Sequence, residues 1–140
     1  MRLHVIARGK IGRSPEADLV ARYKKRIAWP LQLTELPEKG GNIPDPIAPC
    51  RTVVLDERGK QLSSVEMAEI LARWRDDGAR ETRFLIGAAD GHGEAERSGA
   101  DLLLGFGKAT WPHLLVRAML MEQLFRATAI LAGHPYHRAG

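Results

Sequence analysis

Thr52-Val53-Val54-Leu55, Phe84-Leu85-Ile86 and Leu102-Leu103-Leu104 are three short apolar runs. Each feeds a glycine-bearing stretch: Asp56–Lys60, Gly87–Gly93 and Gly105–Trp111. Short apolar runs of this kind are the mark of strands buried on both faces. Helix signals lie between them. Ser63 and Glu66 form a capping box, and the helix it opens runs to about Asp77 and ends near Gly78. A short helix is predicted over Glu94–Ala100. Upstream, Leu3–Ala7 reads as a strand, and Ser14 caps a helix with Pro15 in its first turn that runs to about Ile27. Leu31–Leu36 alternates as a second strand should. Lys39–Pro49 is a loop, since Gly40, Gly41, Pro44, Pro46 and Pro49 block regular structure. A final helix runs from about Pro112 to Leu131 and stops at Gly133. This alternation predicts an α/β fold with a mostly parallel sheet covered by helices. Ligands in such sheets bind at the carboxyl ends of the strands, where the three glycine-bearing stretches are expected as loops.

The chain has 140 residues, which suits one domain with a real core. It shows no internal repeat, low-complexity segment or domain boundary. No apolar run is long enough for a bilayer, and Met1–Ala7 is too short an apolar stretch for a signal peptide. Cys50 is alone, so no internal disulfide forms and a cytoplasmic location is expected. No metal site is expected: Pro135 separates His134 from His137, and no further ligands cluster nearby. The net charge of +4 is uneven. Residues 1–30 hold eight Lys and Arg (Arg2, Arg8, Lys10, Arg13, Arg22, Lys24, Lys25, Arg26) against Glu16 and Asp18. Such a patch attracts polyanions, of which RNA is the common cytoplasmic one, although for a charge run alone a solvated helix face is the better reading.

Taken singly, the three glycine-bearing stretches say little. Leu55-Asp56-Glu57-Arg58-Gly59-Lys60 reads as an ordinary turn or as a pocket edge. Gly87-Ala88-Ala89-Asp90-Gly91-His92-Gly93 is neither a P-loop nor a dinucleotide fingerprint, so a phosphate grip is not indicated. A phosphate-free adenosine ligand such as S-adenosylmethionine remains open. Phe106-Gly107-Lys108-Ala109-Thr110-Trp111 mixes aromatic and small residues, as an adenine slot would, or as plain packing would.

The end of the chain says more. The last helix carries Leu115, Met119, Met121, Leu124, Phe125 and Ile130 over most of its circumference, which predicts a second copy of the chain against it. Arg117, Glu122 and Arg126 are its few charges, read either as exposed ion pairs or as substrate contacts. Beyond it come His134, Tyr136, His137 and Arg138, where most chains fray. His titrates near neutrality, Tyr stacks on bases and Arg pairs with phosphate.

Together these residues resemble the ribosomal large-subunit methyltransferase H family, in the SPOUT class of RNA methyltransferases. The resemblance covers essentially the whole chain. It is strongest at Leu55–Lys60, Phe84–Gly91 and Pro112–Arg138, and most specific in the ending His-Pro-Tyr-His-Arg after a helix that opens with Pro-His. It implies a Rossmann-like α/β sheet whose C-terminal part threads a trefoil knot, and a homodimer. It implies S-adenosylmethionine bound in the knot at Leu55, Gly87, Phe106, Gly107, Lys108, Ala109, Thr110 and Trp111. The implied reaction is methylation of N3 of a pseudouridine in helix 69 of 23S rRNA, on the assembled 70S ribosome. Tyr136, His137 and Arg138 of the tail are implied in activity. There are two departures. The family's usual Gly-Gly-x-x-Gly stands here as Gly87-Ala88-Ala89-Asp90-Gly91, and the Lys39–Pro49 loop is short.

For the chemistry, His137 or a water it orients is expected to take the N3 proton, and Arg138 or Arg117 to stabilise the anion that forms on the base. Three alternatives stay open: a SPOUT methyltransferase for another RNA, a non-catalytic RNA- or ribosome-binding protein, and a small-molecule Rossmann enzyme.

Overall fold

The computed structural model describes residues 1–87 and 93–139, without the side chains of Glu94, Arg138 and Ala139. The strands are β1 (Arg2–Arg8), β2 (Leu31–Leu36), β3 (Cys50–Gln61), β4 (Glu81–Ile86) and β5 (Leu102–Gly105). The helices are α1 (Pro15–Arg26), α2 (Ser64–Asp76), α3 (Glu94–Ser98) and α4 (His113–Leu131), followed by a 3-10 turn over Pro135–Ala139. All five strands are parallel, in the order β2-β1-β4-β3-β5. The expected α/β architecture is therefore present. The expected helix starts hold as well: the Ser14 hydroxyl accepts from the Ala17 amide, and Ser63 and Glu66 cap each other's backbone.

Right-handed crossovers decide which face each helix covers. β1 to β2 and β3 to β4 step the same way across the sheet, so α1 and α2 share a face. The main core lies there: Leu3, Val5, Val53, Phe84 and Ile86 meet Val20, Met67, Leu71, Leu120, Met121 and Leu124. The other face is thinner. Ile6, Val54 and Leu85 pack beside Leu36, Ile43, Ala100 and Leu103. Towards the amino ends of the strands this face is polar. Glu81, wholly buried, pairs with Arg2 and with Arg83 (Nε–Oε2 2.9 Å), and Cys50 Sγ lies 3.5 Å from it. Cross-strand register explains the cluster, because Arg2 and Cys50 stand on either side of Glu81. His4 Nε2 is 2.7 Å from the Thr34 hydroxyl, and burial pulls the His4 pKa down despite the nearby carboxylate of Glu81.

Two expectations need correction. Asp56–Lys60, expected as a loop, belongs to β3. Leu55 and Lys60 both pair with Leu104, so the strand bulges between them and then rejoins β5. Glycine makes this possible. A Cβ on Gly59 would lie 2.7 Å from the Leu103 carbonyl carbon, and one on Gly105 would lie 2.8 Å from the Asp56 carbonyl oxygen. The second concerns how much of α4 one chain covers: α1 and α2 flank it and bury Arg117, Ala118, Leu120, Met121, Leu124, Phe125, Ala127, Thr128 and Ala129, while Leu114, Leu115, Met119 and Ile130 stay half-buried.

Candidate functional site

α4 starts beside the carboxyl ends of the strands and runs back to their amino ends. Its 19 residues span about 28 Å. The sequence-predicted residues fall into two groups along it.

The first group lies at the carboxyl ends. Leu55 is buried in the main core and Gly87 is also buried. Phe106 is half-buried against that core, and its carbonyl accepts from Trp111 Nε1 at 3.2 Å. Lys108, Ala109 and Thr110 are exposed, and Trp111 keeps 42% of its surface exposed. Gly107 has φ +110°, with nothing within 4 Å of where a Cβ would stand. The Thr110 hydroxyl donates to Glu57 at 2.6 Å, which ties this loop to β3. An open depression of about 290 Å³ lies between Glu57, Arg58, Gly59, Gln61 and Lys108. Beside it Asp56 meets Arg97 at 3.0 Å and accepts from the Arg58 amide at 2.8 Å. Burial alone would raise the Asp56 pKa, but that amide and the two guanidiniums outweigh it and the net shift is downward. Residues 88–92, with Ala88, Asp90, Gly91 and His92 of the glycine-bearing stretch, lie outside the described residues.

These residues suit a flat, phosphate-free ligand. Gly107 gives open space beside main chain, while Phe106 and Trp111 offer partly exposed aromatic surface.

Arg117 also serves this end of the molecule, but from inside. It is wholly buried, not one of the exposed ion pairs first considered. Its Nη1 lies 2.5 Å from Glu35 Oε2, and its Nη2 donates to the Gly9 carbonyl at 3.0 Å. Glu35 Oε2 also accepts from the Ile11 amide at 2.8 Å. Burial pushes the Glu35 pKa up, but the Ile11 amide and Arg117 bring it below its ordinary value. This arrangement joins β1, β2 and α4 just behind the strand ends. The sequence hid Glu35, which stands at an ordinary outward position of an alternating strand.

The second group is the tail. Gly133, at φ +72°, ends α4 and turns the chain back along the helix. Tyr136 stacks on Phe125 at 4.5 Å, and Phe125 meets Tyr23 of α1 at 6.0 Å. The Arg126 guanidinium sits 4.8 Å above the Tyr136 ring and is held by Glu122 at 2.7 Å. The Tyr136 hydroxyl donates to Glu122 at 3.3 Å. Burial raises the Tyr136 pKa, helped by hydrogen bonding to Tyr23 and by the charge on Glu122. Arg126 Nη1 lies 3.3 Å from His137 Nδ1, and His134 Nδ1 accepts from the Tyr136 amide at 3.1 Å. Arg138 lies in the same turn. The structure thus brings Tyr136 and His137 together around Arg126 and Glu122, and keeps Arg117 apart at the other end of α4.

The family model described as "Predicted SPOUT methyltransferase" matches residues 1–137. Two proteins named "Ribosomal RNA large subunit methyltransferase H", from Erythrobacter litoralis and Novosphingobium aromaticivorans, are 73% and 71% identical, each over the full length of both chains. The solved structure of a probable methylase family protein from Haemophilus influenzae Rd KW20 superposes with a TM-score of 0.58 at 14% identity, covering 96% of this chain and 68% of that one. That likeness is one of fold alone. From the full-length matches, this chain belongs to the ribosomal RNA large subunit methyltransferase H family of SPOUT methyltransferases.

Proposed function

We propose that this chain is an S-adenosylmethionine-dependent methyltransferase of 23S rRNA. Its target is N3 of a pseudouridine in helix 69, modified on the assembled 70S ribosome in the cytoplasm. The observation that carries this reading is the likeness, over the whole chain, to relatives named as large-subunit rRNA methyltransferases. Phe106, Gly107, Lys108, Ala109, Thr110 and Trp111, with Leu55 and Gly87 behind them, would hold the donor. Bound there, it supplies a methyl group activated on a sulfonium. The threaded chain that the family implies is supported by the close backbone crossing at Gly59 and Gly105.

One feature supports a homodimer. In one chain the donor-side loop and the tail are held at different positions along α4, with Tyr136 and His137 docked on α4 and α1. One chain does not bring both halves of the site together, and a second copy can supply the missing half. Arg117 is then a positioning residue, fixing the end of β1 against β2. Tyr136, His137 and Arg138 are the groups that meet the base. The cationic end of α1 (Arg22, Lys24, Lys25 and Arg26, all exposed) flanks Tyr23, against which the tail packs. It suits contact with RNA phosphate.

The test is methyl incorporation into ribosomes that lack this modification, with the product nucleoside read by mass spectrometry, alongside calorimetric titration of S-adenosylmethionine and the molar mass in solution. Saturable donor binding, a dimer and methyl at the expected base support the reading. Donor binding with methyl elsewhere points to another RNA. RNA binding with no donor binding points to a non-catalytic role.

A further inference from the structure

Arg126 touches His137 through a contact with only one possible direction. A guanidinium has five N–H donors and no acceptor, and it stays protonated throughout the usable pH range. Glu122 favours that charge further, holding Arg126 above its ordinary pKa. Arg126 Nη1 lies 3.3 Å from His137 Nδ1, so Nδ1 must be the acceptor and carry no proton. In the neutral ring the proton is then on Nε2. The clamp is built to keep this orientation. Glu122 binds Arg126 through both Nε (2.8 Å) and Nη2 (2.7 Å), and the Tyr136 ring lies beneath the guanidinium at 4.8 Å. Among the described residues, four titratable groups besides Arg126 lie near the contact: Glu122 on α4, Tyr23 on α1, and Tyr136 and His134 of the tail. Glu122 Oε1 is engaged by Arg126 and Tyr136 and its Oε2 by Gln123, and His134 is turned to the Tyr136 amide.

We propose that Arg126 is a positioning residue that fixes His137 as the Nε2–H tautomer, so that His137 presents a hydrogen-bond donor to the target base and not a general base. This rests on the tail serving methyl transfer, as set out above, and revises the role first expected for His137. The N3 of a pseudouridine lies between two carbonyl groups, and losing the N3 proton spreads negative charge onto both oxygens. A donor at Nε2 stabilises that charge, while the N3 proton passes to solvent.

The first test needs no activity. In protein with 15N-labelled histidine, two-bond nitrogen–proton correlations of His137 report the tautomer. The Nε2–H form is expected in the wild type and in Arg126→Lys, which keeps a cationic donor. A mixture of tautomers is expected in Arg126→Met. A dominant Nδ1–H form in the folded wild type overturns the proposal. The second test is turnover on ribosomes. A glutamine amide nitrogen can reach the Nε2 position, so His137→Gln should stay within roughly tenfold of wild type while His137→Ala loses roughly a hundredfold. A His137→Gln variant as inactive as His137→Ala would also overturn it, because glutamine keeps the donor and loses only the base. If the wild type methylates no ribosome, the function proposed above fails, while the tautomer measurement still decides the role of Arg126.

Discussion

Arg117 and Arg126 stand nine residues apart on one helix, about 13 Å along its axis, and are held in opposite ways. Arg117 has no exposed surface and ends on Glu35 and two backbone carbonyls. Arg126 is partly exposed and ends on side chains: a carboxylate, an aromatic face and an imidazole. An arginine spent on backbone carbonyls is committed to the fold, because carbonyls of a strand end cannot move away. One spent on a tail can release it at small cost. The same residue type on the same helix therefore builds at one end and presents at the other.

The sharpest way to break this comparison is Arg117→Leu. It leaves Glu35 and the Gly9 carbonyl without their partner. The expected loss is about 2–4 kcal/mol in denaturant unfolding, below the usual cost of breaking a buried pair because Glu35 is about a third exposed. A variant as stable as wild type but inactive on ribosomes would place Arg117 in contact with substrate.

Glu35→Gln sharpens the same end. The folded-state pKa of Glu35 is lowered from an ordinary 4.5, so its contribution to stability is fully present above that pH and fades as pH falls through the folded value. The variant should be less stable by about 1–2 kcal/mol at neutral pH, with the gap to wild type closing in acid. A gap that stays constant to low pH would show that the charge of Glu35 does not matter.

Tyr136→Phe probes the other end and should do least. It removes the hydroxyl's bonds to Glu122 and Tyr23 and keeps the ring under Arg126 and against Phe125. A loss of about 0.5–1 kcal/mol is expected from thermal unfolding, with the tail cut faster by protease. A loss matching Arg117→Leu would mean that the tail is part of the core.

Much of the fold was legible because local signals agreed. The Ser63–Glu66 box, Pro15 after Ser14 and the glycines after α2 and α4 are chemistry within one turn of chain. What was missed depends on contacts between distant segments. Asp56–Lys60 looks like a turn until β5 lies beside it, because only the Leu103 and Leu104 backbone shows why Gly59 must be glycine. The strand reading of β4 began at Phe84 and left out Glu81 and Arg83, since buried charges announce themselves only when Arg2 is seen alongside. The burial of Arg117 was hidden for the same reason: its partner is 82 residues away. In the candidate site, the aromatic and glycine residues of the Gly105–Trp111 stretch and the tail were legible as types. Their separation along α4 was not, because it comes from the turn at Gly133.

The strand order also has a kinetic consequence. β1 is made first but lies between β2 and β4, and its Arg2–Glu81 contact joins residues 79 apart. Until residues 81–86 leave the ribosome, β1 and β2 are an isolated pair with one edge of β1 unsatisfied. Long-range parallel pairing of this kind closes slowly. The nascent chain therefore passes through a stage in which Leu3, Val5 and Ile6 belong to an open strand edge, the stage at which a chaperone or a stalled neighbour would meet it.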